Sequence, residues 1–274
     1  MIGVFDSGYG GLTVLRSLLR LLPEYDYLYL GDNARAPYGT RSFGIVTDFT
    51  RQAVDHLFSH ACPLVILACN TASAKALRTL QQSWLPGTAD PTRRILGVIR
   101  PTAEAVGRIT RGGHIGVMAT PGTIASGSYD IEIAKLWPQT TVTGQACPMW
   151  VPIVENGEAD GPGADYFVAK YIDELFARDA QIDTVILACT HYPLLFDKIR
   201  DYLDSRGLGH VQLVTQGDIV AYSLRDYLDR HPEMESRLTR GGTVTYLTTE
   251  APDRFADLAA LFMAAPVTAQ HTTL

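Results

Sequence analysis

The chain has 274 residues, 46% of them hydrophobic and 19% charged, the balance of an ordinary globular protein long enough for one large core or two modest ones. Its formal net charge of −6 excludes the basic footprint of a nucleic-acid binder, while a local site of opposite sign could still take an acidic small molecule. No apolar run approaches the roughly 20 residues that span a bilayer, and the N-terminus meets Asp6 without the basic stretch of a signal peptide, so a cytoplasmic location with no membrane partner is expected.

In chain order, Ile2–Phe5 reads as a first strand. The turn Asp6-Ser7-Gly8-Tyr9-Gly10-Gly11 then leads into a helix marked by Leu12, Leu15, Leu18, Leu19 and Leu22. The glycines let backbone amides approach an anion at the helix N-terminus. Their spacing is neither a dinucleotide fingerprint nor a P-loop, and a tight turn capped by Asp6 or Ser7 is the plain alternative. Tyr25–Leu30 follows as a strand, then a helix over Phe43, Val46, Thr50, Ala53 and Leu57. Pro63–Cys69, Ile95–Ile99 and Ile115–Ala119 read as strands, Phe167, Tyr171 and Leu175 as one face of a helix, and Thr184–Cys189 and Val211–Thr215 as strands again. Ala264–Leu274 reads as a frayed polar tail. Short, continuously apolar strands separated by helices predict an α/β fold with mainly parallel sheets covered on both faces.

The sequence also repeats itself. Val65-Ile66-Leu67-Ala68-Cys69 returns as Val185-Ile186-Leu187-Ala188-Cys189, and Ile2-Gly3-Val4 upstream of the first copy returns as Ile115-Gly116-Val117 upstream of the second. The simplest reading is two similar, pseudo-twofold-related α/β domains, 1–97 plus 210–274 and 98–209, with an active site in the cleft between them. Ligands in such sheets bind beyond the carboxyl ends of the strands, where both cysteines would sit.

The four cysteines (Cys62, Cys69, Cys147, Cys189) form no CxxC pair and fit neither a disulfide framework nor a zinc knuckle. In a reducing cytosol each is a free thiol. Inverting a stereocentre by moving a proton needs two groups on opposite sides of one carbon, one a base while the other is an acid. Thiols suit this because a reference pKa of about 8.5 can be tuned by neighbours. A lone strand-end cysteine is usually a small buried hydrophobe. Two in duplicated contexts, each followed by polar residues (Asn70-Thr71 and Thr190-His191), point instead to chemistry.

Ile2-Gly3-Val4-Phe5-Asp6-Ser7-Gly8, Gly31-Asp32 with Pro37-Tyr38-Gly39, Cys69-Asn70-Thr71-Ala72-Ser73-Ala74, Val151-Pro152-Ile153-Val154-Glu155 and Cys189-Thr190-His191-Tyr192-Pro193-Leu194-Leu195 closely resemble the motifs of the cofactor-independent aspartate/glutamate racemases, glutamate racemase in particular. The resemblance runs from Ile2 to about Asp218. It implies L- and D-glutamate interconversion without a cofactor or metal, serving peptidoglycan precursor synthesis. It further implies that Cys69 takes the proton from the D-enantiomer and Cys189 from the L, with Asp6 beside the first thiol, His191 beside the second and Glu155 in an auxiliary role. Asp6 and Ser7, Tyr38 and Gly39, Asn70 and Thr71, and Thr190 and His191 match the substrate-binding pairs. Two stretches depart from the pattern: Thr215-Gln216-Gly217-Asp218, where the family often has an Asp-Ser-Gly-like segment, and Tyr9, one of several variants in the first loop.

Other constellations read more plainly. His56 and His60, with Cys62 just beyond, have metal-like spacing but no third ligand in view, and read as helix-surface histidines beside a buried cysteine. Cys147 reads as packing, and Arg35 and Arg41 as solvated loop arginines. Of the four lysines only Lys75 lies near a proposed strand end, too far into a helix for a Schiff-base role. An aspartate racemase differs by one methylene, which a pocket discriminates by only about 1–3 kcal/mol. A Cys–His hydrolase built on Cys189 and His191 leaves the Cys69 motif unexplained, and a non-catalytic binding module would tolerate loss of either thiol. The sequence leaves the oligomeric state open, a homodimer included.

Overall fold

The structure is a computed structural model describing residues 1–274, and it divides into two compact units, Met1–Val98 with Gly217–Leu274, and Ile99–Gln216. In chain order the strands are β1 (Ile2–Asp6), β2 (Tyr27–Gly31), β3 (Leu64–Leu67), β4 (Arg94–Gly97) and β5 (His114–Ala119). They continue with β6 (Thr141–Ala146), β7 (Thr184–Ala188), β8 (Gln212–Val214), β9 (Val244–Thr248) and β10 (Ala269–His271).

The first unit holds a sheet in the order β10-β9-β2-β1-β3-β4 and the second a sheet in the order β6-β5-β7-β8, every neighbouring pair parallel. The expected α/β class is therefore what the chain adopts. Strands β1, β2, β3 and β7 are buried along their whole length, as continuously apolar strands covered on both faces must be.

The repeat in the sequence is a repeat of topology and register. The first four strands of each unit share one spatial order, with the first strand between the second and the third. Gly3 pairs with Val65 and Gly116 with Val185, so the two copies align residue for residue. Both glycines lie where a covering helix approaches the strand, more tightly at Gly116 than at Gly3. A Cβ on Gly3 would lie 3.3 Å from Leu57 Cδ1 in the helix Phe43–Ser59, and one on Gly116 would lie 2.8 Å from Leu175 Cδ2 in the helix Pro162–Arg178.

Three strands escape the sequence reading. β6 carries Thr, Gly and Gln and lies at the edge of its sheet, where one side needs no apolar cover. β9 is only partly buried over Val244–Tyr246, and β10 is a three-residue edge strand. The expected frayed tail Ala264–Leu274 is instead tied down. β10 pairs with β9, Thr272 N–H donates to Thr248 O at 2.9 Å, and Leu274 packs against the core cluster that includes Phe5, Val46 and Leu67. β8 pairs with β7, so the chain leaves the second unit after Gln216 rather than near residue 210. No helix is long and apolar enough to cross a membrane.

Candidate active site, one thiol centre in each unit

Because β1 lies between β2 and β3, and β5 between β6 and β7, the direction of winding reverses at the β1/β3 and β5/β7 junctions. A crevice forms outside the carboxyl ends of the strands at such a reversal. In the first unit Asp6, Ser7 and Cys69 stand there. In the second unit Cys189 does.

Cys69 is the N-cap of the helix Asn70–Lys75, with extended backbone, and its Sγ accepts the Ala72 N–H at 3.4 Å. The same sulfur lies 3.4 Å from Ser7 Oγ. Asp6 is buried and its Oδ2 accepts from Gly8 N–H at 2.9 Å, which folds the Asp6–Gly8 turn back on itself. Gly11 must lack a side chain here, since a Cβ would come within 2.5 Å of Asp6 Cβ and 3.1 Å of Ala68 Cβ. Tyr9 is not a free loop residue: its ring stacks on Phe255 at 5.4 Å. Asn70 and Thr71 are buried in the first turn of the Cys69 helix. Tyr38 is buried in the same apolar cluster as Cys69, with Gly39 following it in a half-buried loop.

Asp32, part of the Gly31-Asp32 motif, anchors the loop that carries Tyr38. It is a fully buried carboxylate that accepts from the Tyr38 hydroxyl, from Arg35 Nε at 2.7 Å and from Thr249 Oγ1 at 2.9 Å. Arg35, expected to be solvated, is thus paired with Asp32, bonds Gln52 Oε1 at 2.6 Å and lies 4.2 Å over the Phe49 ring. Arg41 is held likewise, its Nε donating to Arg35 O at 3.1 Å.

In the second unit Cys189 Sγ lies 3.8 Å from His191 Nδ1, and His191 Nε2 lies 2.8 Å from Glu155 Oε1. The three residues therefore form one chain of contacts. Burial alone would lower the His191 pKa, but bonds and charge from Cys189 and Glu155 outweigh it and push the pKa up to about 10. The imidazole is therefore an imidazolium at neutral pH, between sulfur and carboxylate. Thr190 is buried beside it. Strand pairing matches Phe5 with Leu67 and Met118 with Leu187, so Ala119 occupies in the second unit the place that Asp6 holds in the first. The two centres share a frame and differ in the charge set beside the sulfur.

The remaining cysteines are locked away. Cys62 is fully buried against Gly3, and burial pushes its thiol up to about 11. Cys147 is fully buried as well, and burial drives its thiol well above the usual range. Cys69 and Cys189 each keep 6% exposure, at strand ends rather than within the layers. His56 bonds Thr272 Oγ1 through Nε2 at 3.0 Å and His60 Nδ1 lies 2.8 Å from His56 O, so this pair serves the helix end and the C-terminal segment.

The Asp/Glu/Hydantoin racemase family matches residues 2–221 of the chain. A glutamate racemase of Roseobacter denitrificans is 40% identical over 272 residues, covering 96% of each chain. The solved structure of a glutamate racemase from Bacillus anthracis superposes with a TM-score of 0.87 at 33% identity, covering 100% of this chain and 97% of the other. A Francisella tularensis glutamate racemase solved in complex with D-glutamate gives a TM-score of 0.84 at 31% identity, covering 99% of this chain and 97% of that one. With the family matched over residues 2–221 and a 40% identical relative matched over nearly the whole length, the chain belongs to the Asp/Glu/Hydantoin racemase family.

Proposed function

We propose that the chain interconverts L- and D-glutamate by two-base proton transfer at Cα, with Cys69 and Cys189 as the acid/base pair and no cofactor. With D-glutamate the Cys69 thiolate removes the Cα proton on one face, and the Cys189 thiol delivers its own proton to the opposite face. The Cα–H bond breaks as an S–H bond forms at Cys69, and negative charge ends on the Cys189 sulfur. With L-glutamate the roles reverse. The imidazolium of His191 sets a positive charge 3.8 Å from the sulfur that must be negative when Cys189 is the base, and Glu155 holds that imidazolium in place. Asp6 accepts from the substrate ammonium. Ser7, Asn70, Thr71 and Thr190, with the backbone N–H groups of Tyr38 and Gly39, supply neutral donors for the two carboxylates, donors that also meet charge developing on the α-carboxylate. The D-glutamate formed would feed peptidoglycan precursor synthesis.

The observation that carries this reading is selective: of four free thiols, the two at the duplicated strand ends stand at winding reversals, while the other two are sealed in the core. Relatives named glutamate racemase at about 40% identity over nearly the whole length support glutamate as the substrate. The test is incubation of the protein with L-glutamate and, separately, L-aspartate in deuterated water, followed by chiral chromatography and mass analysis. D-glutamate carrying one deuterium at Cα is expected, with kcat/KM for aspartate lower by about ten- to a hundredfold. Absence of D-glutamate, or faster turnover of aspartate, overturns the assignment.

A further inference from the structure

Lys75 ends the helix that Cys69 begins, and its burial is unusual for a lysine, with 8% exposure. Its Nζ donates to the backbone carbonyl of Arg41 at 2.5 Å and lies 5.1 Å from the Phe43 ring centre. Its own carbonyl accepts from Thr47 Oγ1 at 3.3 Å. Arg41 closes the segment that carries Tyr38 and Gly39: its N–H donates to Tyr38 O at 3.1 Å and its Nε to Arg35 O. At its near end this segment is fixed by Asp32, through Tyr38 and Arg35. At its far end it is fastened to the Cys69 helix through the Lys75 ammonium.

We infer that Lys75 is a positioning residue, fastening the Tyr38–Gly39 loop to the helix that opens with Cys69, Asn70 and Thr71, and so fixing the spacing of two substrate-binding segments. This rests on the proposed racemase reading. The acceptor is a backbone carbonyl, so the clamp depends on the cation and not on which side chain Arg41 presents. Loss of the ammonium leaves Arg41 O without that donor and lets the loop move relative to Asn70–Thr71. Such a change weakens ground-state and transition-state binding together, which raises KM and spares kcat.

The test compares wild type, Lys75→Met, Lys75→Gln and Lys75→Arg in both directions of glutamate racemisation, with backbone hydrogen exchange on the substrate-free proteins. K75M keeps the apolar stem, K75Q has an amide too short to span the gap, and K75R restores a long cationic donor. K75M and K75Q are expected to raise KM about tenfold for both enantiomers, the size of one lost charge-assisted hydrogen bond, with kcat within about twofold. K75R is expected to return KM to within about threefold of wild type. Exchange is expected to quicken at amides 38–43 and to stay unchanged in the helix Leu12–Leu21. Unchanged KM and unchanged exchange in both K75M and K75Q overturn the inference, as does a collapse of kcat at constant KM. If wild type does not racemise glutamate, the functional reading fails, and the exchange comparison still decides whether Lys75 holds the loop.

Discussion

A histidine in water loses its proton near pH 6.5. His191 keeps one far longer, because the Cys189 sulfur on one ring nitrogen and the Glu155 carboxylate on the other outweigh the burial that disfavours its charge. A raised pKa means that the positive charge is present throughout the neutral range and disappears only as pH climbs toward about 10. Proton NMR of the His191 ring should show no titration between pH 6 and 8 and a midpoint near 10, and Glu155→Gln should move that midpoint down. A midpoint near 6.5 in the wild type would contradict the assigned contacts. Cys69, Cys189 and His191 stand out in the sequence because each lies within two residues of a repeated strand end. Asp32 and Arg35 were not legible in the same way. Their partners Tyr38, Gln52 and Thr249 are scattered along the chain, and no local spacing signals a contact between Asp32 and Thr249.

Strands that read clearly were those buried on both faces, such as Val65–Leu67 and Val185–Leu187, where the apolar run is short and rich in β-branched residues. β6, β9 and β10 lie toward sheet edges, can present polar side chains, and so give little periodic signal. What the apolar pattern alone does not reveal is why Gly3 and Gly116 occur in the repeat, and the packing answers that. Gly116→Ala would place a methyl 2.8 Å from Leu175 Cδ2 and should cost about 1–3 kcal/mol of unfolding free energy by urea denaturation. Gly44→Ala provides the contrast, because nothing lies within 4 Å of a Cβ there and the residue is in the helix Phe43–Ser59. That variant should be neutral or more stable by up to about 1 kcal/mol. Equal destabilisation by the two substitutions would refute the packing explanation.

At the scale of the whole molecule, the chain contains one four-strand plan twice, and the first copy is completed by β9 and β10 returning from the C-terminal segment. Truncation after Pro266 removes β10, the Thr272–Thr248 bond, the Thr272–His56 contact and the packing of Leu274. It should lower stability by about 2 kcal/mol or more, read from the urea midpoint, whereas a frayed tail would be removed without loss. The second copy of the plan brings the second thiol, and in the proposed reaction both are needed, one for the proton that leaves and one for the proton that arrives. The most direct measurement follows α-proton exchange and enantiomer interconversion of glutamate in deuterated water for wild type, Cys69→Ala and Cys189→Ala, each checked for an unchanged thermal unfolding midpoint. Interconversion with Cα deuteration is expected in the wild type, and loss of interconversion by at least about a thousandfold in each single variant, since neither thiol alone can serve both faces. Full interconversion by either variant would contradict the two-thiol reaction.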